Sequence, residues 1–175
     1  MEKYLLIGAL VTATIGAVRD VAARKIPNRL TYTALLVALP VRLLTLGWPG
    51  LRGGLLGVLL GGGLFYTLFV IGGMGGGDVK LMAAVAAWAG VSQTVYVLVV
   101  TAMAGGVIAL TYMLASKRAL ESLSNAVELI RHHLTSGLRP HPVLNVQEPD
   151  SLRIPYGLAI AVGTLYCVGN TFLRG

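Results

Sequence analysis

Between Glu2 and Glu121 this chain has only two acidic residues, Asp20 and Asp78, and each stands where a long apolar run meets a charged or glycine-rich break. A carboxylate held in or against a bilayer costs several kcal/mol, so an acid in such a position is a candidate for chemistry. The plainer reading of each one alone is that it ends a helix among the lipid headgroups. Brought together, two carboxylates can split a peptide bond. One activates a water, while the other, protonated, polarises the scissile carbonyl and passes a proton to the departing amine. Like charges at close range separate the two ionisations and leave one proton shared between them.

The surroundings of Asp78 favour the chemical reading. In "GGMGGGDVKL", residues 72–81, five of the first six positions are glycine. Such a stretch resists helix formation and lets backbone bend closely around whatever the acid touches. Asp78 then opens the next helix, at the end where the helix dipole favours negative charge, whereas Asp20 closes the first apolar run and meets the opposite field. Lys80 either tunes Asp78 electrostatically or marks the inner membrane boundary. Asn28 and Pro27 are expected to cap and open the second span, with Lys25 on the approach.

The elements that must position these residues are membrane helices. Apolar residues make up 55% of the 175 and charged ones only 12%, with a mean hydropathy of +0.77. The apolar runs are unbroken, which points to an all-α polytopic bundle and away from a barrel. About six transmembrane helices are expected, the first from Tyr4 to Val18 and the others near 30–47, 53–72, 78–91, 93–115 and 154–173. The segments 19–29, 73–80 and 116–153 hold ten of the fourteen Lys and Arg residues. This bias places them in the cytoplasm, with Lys3, Arg42, Arg52 and Arg174 on the other side. The net charge of +7 is thus an orientation and lipid-surface signal. Nucleic acid is an unsuitable partner, since no basic, aromatic-interleaved soluble domain exists to hold it.

Within 116–153, Leu120, Leu123, Val127, Ile130 and Leu134 recur at helical spacing. They predict a cytoplasmic amphipathic helix over about 117–135, lying on the inner leaflet and followed by a proline-rich loop. His132 and His133 are adjacent, hence on different sides of that helix, and no further ligand stands at metal-binding spacing. Cys167 reads as a small buried hydrophobe. Gly53, Gly57 and Gly61 form a stripe suited to close helix packing.

Three segments carry a resemblance: Asp20 followed by "RKIPN" at 24–28, "GGGD" with "VKL" at 75–81, and "IPYGLAIAVG" at 154–163. Together they resemble the type IV prepilin peptidases, the GxGD aspartyl proteases, over nearly the whole chain, which is then one membrane-embedded peptidase domain, 1–175. The resemblance implies that Asp20 and Asp78 are the catalytic pair, supported by Gly75, Gly77, Lys80, Lys25, Pro27 and Asn28. It implies a prepilin substrate, cut at the cytoplasmic face of the inner membrane just before its hydrophobic helix. Larger members carry paired CxxC zinc motifs and methylate the new pilin N-terminus. This chain has a single cysteine, so neither a metal nor a cofactor is expected, nor the methyltransferase activity. The short form looks most like peptidases of Tad or Flp-type pilus systems, and archaeal preflagellin peptidases are similar in length. The alternatives are a presenilin-like protease with another substrate, or a small transporter or assembly factor. The second lacks the internal repeat that carriers tend to show. Oligomeric state and leader-recognising residues are not legible.

Overall fold

The computed structural model describes residues 2–115, 128 and 155–174. The expected amphipathic helix over 117–135, with His132 and His133, and most of the segment 116–153 lie outside the described residues. Those described form four helices: α1 (Glu2–Ala23), α2 (Asn28–Val70), α3 (Gly76–Ala115) and α4 (Tyr156–Arg174). Each contains a stretch long and apolar enough to cross a membrane. The surface agrees with that environment, since large apolar side chains such as Leu44, Leu59, Val99, Met103 and Leu165 are exposed all around the bundle.

Where the sequence predicts separate spans at 30–47 and 53–72, and again at 78–91 and 93–115, the structure has one sharply broken helix in each case. At 1.5 Å per residue the 43 residues of α2 would run about 65 Å, roughly twice a bilayer core. Gly47 (φ 66°, ψ −158°) interrupts α2, and Gly90 (φ 76°, ψ 168°) interrupts α3. Positive φ is open to glycine and costly for other residues, so a single glycine reverses the chain where a loop was expected. Beyond each break the helix returns along itself. A Cβ at Gly50 would fall 2.5 Å from the Arg42 carbonyl oxygen, and one at Gly61 would fall 3.1 Å from side chains of both Ala86 and Thr94, which flank Gly90.

The first arm of α3, residues 76–89, is the centre of the bundle. Leu81, Met82, Ala84, Val85, Ala86, Ala87 and Ala89 are all buried. Its alanines keep it thin, and glycines on the neighbours bring backbone close. In α2, Gly57 and Gly61 lie against Ala86 and Met82, as expected of the packing stripe, whereas Gly53 borders Arg42 and its neighbour Gly54, outside that stripe, meets Ala87. In α1, a Cβ at Gly8 would fall 2.7 Å from the Trp88 ring, and one at Gly16 would fall 2.5 Å from Leu81 Cδ1. Cys167 is buried as expected. Arg42, counted from the sequence as a charge on the outer side, is only 2% exposed. Its Nε donates to the Gly50 carbonyl and its Nη1 to the Trp88 carbonyl, both at 2.8 Å, while Nη2 meets Glu2 at 3.5 Å.

Candidate active site

Asp20 lies in the last turn of α1. Its carbonyl accepts the Arg24 N–H at 2.8 Å, and Arg24 closes the helix with φ 48°. Glycine ordinarily takes this left-handed position, and another residue there costs about 1–2 kcal/mol. Strain of this kind gathers at functional sites, and Arg24 stands in the cleft wall beside Asp20. Pro27, with φ −65°, then takes the N-cap position of α2. Asn28 is the first helical residue and, contrary to expectation, caps nothing. Proline already holds the cap, and the Asn28 amide is drawn across the cleft, where its Oδ1 accepts a hydrogen bond from Lys80 Nζ at 3.0 Å. Lys80 also lies 5.7 Å from the Tyr32 ring centroid, within cation–π range.

The glycine-rich stretch divides its work. Gly72 has φ 82°; its N–H donates to the Phe69 carbonyl at 3.0 Å, and the Gly73 N–H donates to the Leu68 carbonyl at 2.9 Å. These two bonds are a Schellman closure of α2. Gly75 serves the acid instead, since a Cβ there would fall 3.1 Å from Asp78 Oδ2. Gly77 faces Ile26 of the α1–α2 connection, where a Cβ would stand 3.4 Å from the Ile26 Cβ. Asp78 sits in the first turn of α3 with its N–H donating to the Gly75 carbonyl at 3.1 Å.

Every residue that the resemblance assigns to the site lines one open cleft of about 420 Å³: the two acids, Lys25, Pro27, Asn28, Gly75, Gly77 and Lys80. Asp20 is half-buried, Asp78 is 9% exposed, and the two carboxylates lie within electrostatic reach of each other. The convergence follows from packing: Gly16 lets α1 settle on Leu81, so Asp20, one turn beyond Gly16, arrives beside Asp78, one turn before Leu81. Among the described residues there is no group of three or more His, Cys, Asp or Glu that would hold a metal.

One partner was not legible. The Gly157 N–H donates to Asp20 Oδ2 at 2.8 Å, so Asp20 faces the first turn of α4 as well as the carbonyl end of its own helix. Tyr156, the first residue of α4, lies within electrostatic reach of Asp78. The "IPYG" segment was visible in the sequence, but nothing local ties it to Asp20.

This arrangement places a water-accessible space against two carboxylates, with cations of Arg24, Lys25 and Lys80 on its walls. Such a site suits hydrolysis by general acid and base. No curated protein and no solved structure matches the chain. Residues 5–110, which include both acids and the glycine-rich approach to Asp78, match the type IV leader peptidase family. With more than half of its length matched and four helices able to span a membrane, the chain is a multi-pass membrane protein that belongs to the type IV leader peptidase family.

Proposed function

We propose that the protein is an aspartyl endopeptidase that removes the basic leader from Flp-type prepilins at the cytoplasmic face of the inner membrane, with Asp20 and Asp78 as its catalytic pair. The observation that carries this reading is the meeting of these two carboxylates, from separate helices, in one open cleft. In the proposed reaction a water lies between them. The ionised carboxylate takes its proton as the oxygen attacks the scissile carbonyl, and the protonated carboxyl donates to the carbonyl oxygen. Collapse of the tetrahedral intermediate breaks the C–N bond as a proton passes to the leaving amine, returning the pair to its starting state. The glycines at 75–77 leave room for an extended substrate strand against the backbone.

The arms on either side of Gly47 and Gly90 are read as separate crossings, six in all, which puts 19–29, 73–80 and 116–153 on the cytoplasmic side, following the basic bias. The first arm of α3, residues 76–89, spans about 21 Å at 1.5 Å per residue. It begins below the headgroup level, where the cleft admits water.

The test is incubation of the purified, lipid-reconstituted protein with an Flp-type prepilin, with the cut position and product mass read by mass spectrometry. The expected result is one cut ahead of the hydrophobic helix, insensitive to chelators, giving an unmethylated product. A cut inside the hydrophobic helix would assign a presenilin-like activity. No cut of any prepilin would favour a carrier or assembly role.

A further inference from the structure

Resting on the assignment of Asp20 and Asp78 as the catalytic pair, we infer that the first turn of α4 belongs to the catalytic machinery. The Gly157 N–H, as a positioning group, holds Asp20 as the ionised carboxylate that activates water, which leaves Asp78 as the proton carrier.

Three observations lead there. The first is the hydrogen bond itself, 2.8 Å from the Gly157 nitrogen to Asp20 Oδ2. Gly157 is the second residue of a 19-residue helix, so its N–H has no acceptor within α4 and adds the positive end of the helix dipole. A backbone N–H favours the charged state of the carboxylate that accepts it, and such charge-assisted bonds are about twice as strong as neutral ones. The second is fit. A Cβ at Gly157 would fall 2.9 Å from Asp20 Oδ2 and 3.3 Å from the Ala17 Cα, so only glycine lets α4 approach this closely. The third is the unequal setting of the two acids. Asp78 also has backbone N–H donors, from Gly75 and its own residue, at the start of α3. It is only 9% exposed, however, whereas Asp20 is half-buried and within electrostatic reach of Arg24. Negative charge costs less where water and a cation are near.

Among the described residues, the charged and titratable groups around the cleft that holds Asp20 are Arg24 and Lys25 on the α1–α2 connection and Asp78 and Lys80 on α3, and Tyr156 on α4 lies within electrostatic reach of Asp78. None of the others is a fixed donor shown bonded to the Asp20 carboxylate. α4 lies wholly outside residues 5–110, the part of the chain matched to the family, so that match does not describe this contribution.

The experiment replaces Gly157 with glycolic acid, giving a backbone ester that lacks the N–H and adds no atom to the cradle. Prepilin cleavage by the reconstituted full chain is then followed against pH. We expect kcat to fall about tenfold, as for loss of one charge-assisted bond, and the acid limb of the pH–rate profile to move to higher pH. Without its donor the Asp20 carboxylate is harder to ionise, so more alkaline conditions are needed to make the base. The alkaline limb stays in place. Movement of the alkaline limb instead would make Asp20 the acid and overturn the assignment. An equal loss at every pH, or no change, would overturn the positioning role.

Should the ester chain fail to fold, infrared spectroscopy of Asp78→Asn at neutral pH decides the same point. The expected spectrum lacks a protonated-carboxyl band, and its presence would show Asp20 holding the proton. Asp20→Asn separates the two levels of claim. If that variant cleaves normally, the catalytic pair itself is wrong. If it is inactive while the ester is unaffected, only the role of α4 falls.

Discussion

The two ends of the bundle are built from the same materials and do opposite things. At one end Gly53 and the break at Gly90 border a buried guanidinium; a Cβ at each would fall 3.2 and 2.5 Å, respectively, from Arg42 Nη2. The Nε, Nη1 and Nη2 of that charge each have a protein partner. At the other end Gly75, Gly76 and Gly77 line a cleft beside a carboxylate, and about 420 Å³ of open space lies against it and its companion. A buried charge with every polar atom occupied holds structure together, whereas one facing open volume with bonding capacity to spare is available to a substrate. Glycine next to a charge therefore indicates close approach without saying for what.

The largest effect expected from this contrast is at the open end. Asp20→Asn and Asp78→Asn should each lower kcat/KM for prepilin cleavage by about 10³-fold or more, with melting temperatures in detergent little changed. The double variant should be scarcely worse than either single one, because the two acids serve one step. The wild-type pH–rate profile should be bell-shaped, since the fully protonated pair lacks a base and the fully ionised pair lacks an acid. Near wild-type cleavage by either folded variant would erase the distinction between the two ends.

Arg42→Met should show the converse. Stripping Gly50 and Trp88 of their donor should cost about 2–4 kcal/mol of stability, read as a lower melting temperature, while cleavage per folded molecule stays within a few-fold of wild type. A stable but inactive Arg42→Met would mean that the closed end reaches into the chemistry.

A smaller effect comes from the contact that brings the two acids together. Gly16→Val should drive α1 away from Leu81 and spread the acids, lowering kcat by about 10- to 100-fold, since misplacement near 1 Å carries penalties of that order. Gly63→Ala, where no atom lies within 4 Å of the added carbon, should change neither rate nor stability. Least of all, Lys80→Ala should reduce kcat/KM by less than about tenfold, because its bond to Asn28 is exposed and exposed polar pairs are worth under about 1 kcal/mol. A loss exceeding that of either Asp variant would move Lys80 into the reaction itself.

How much was legible follows from the range of each interaction. Apolar runs betray spans locally, and scarcity makes Asp20 and Asp78 conspicuous among so many neutral residues. The breaks at Gly47 and Gly90 were seen as boundaries but not as single-residue reversals, because nothing in the alphabet tells a glycine held at positive φ from one that merely packs. Arg42 was taken for an orientation signal, since its Trp88 acceptor stands 46 positions away. The bond from Gly157 to Asp20 spans 137 positions and is made by a backbone group, which every residue but proline possesses. Asn28 was misjudged for a nearer reason: its capping habit is real, but Pro27 had already taken that place.

The wiring of Arg42 also has a temporal side. A chain synthesised from its N-terminus brings Arg42 into the membrane when only Glu2 has preceded it and Gly50 soon follows, while the Trp88 carbonyl is not yet made. A guanidinium short of a partner in lipid is costly, so the hairpin of α2 alone leaves one Arg42 donor to be met by the first arm of α3. The bond that closes this end therefore completes the solvation of a charge in α2 with a carbonyl of α3, so the helix that carries Asp78 is also the one that makes the buried guanidinium tolerable.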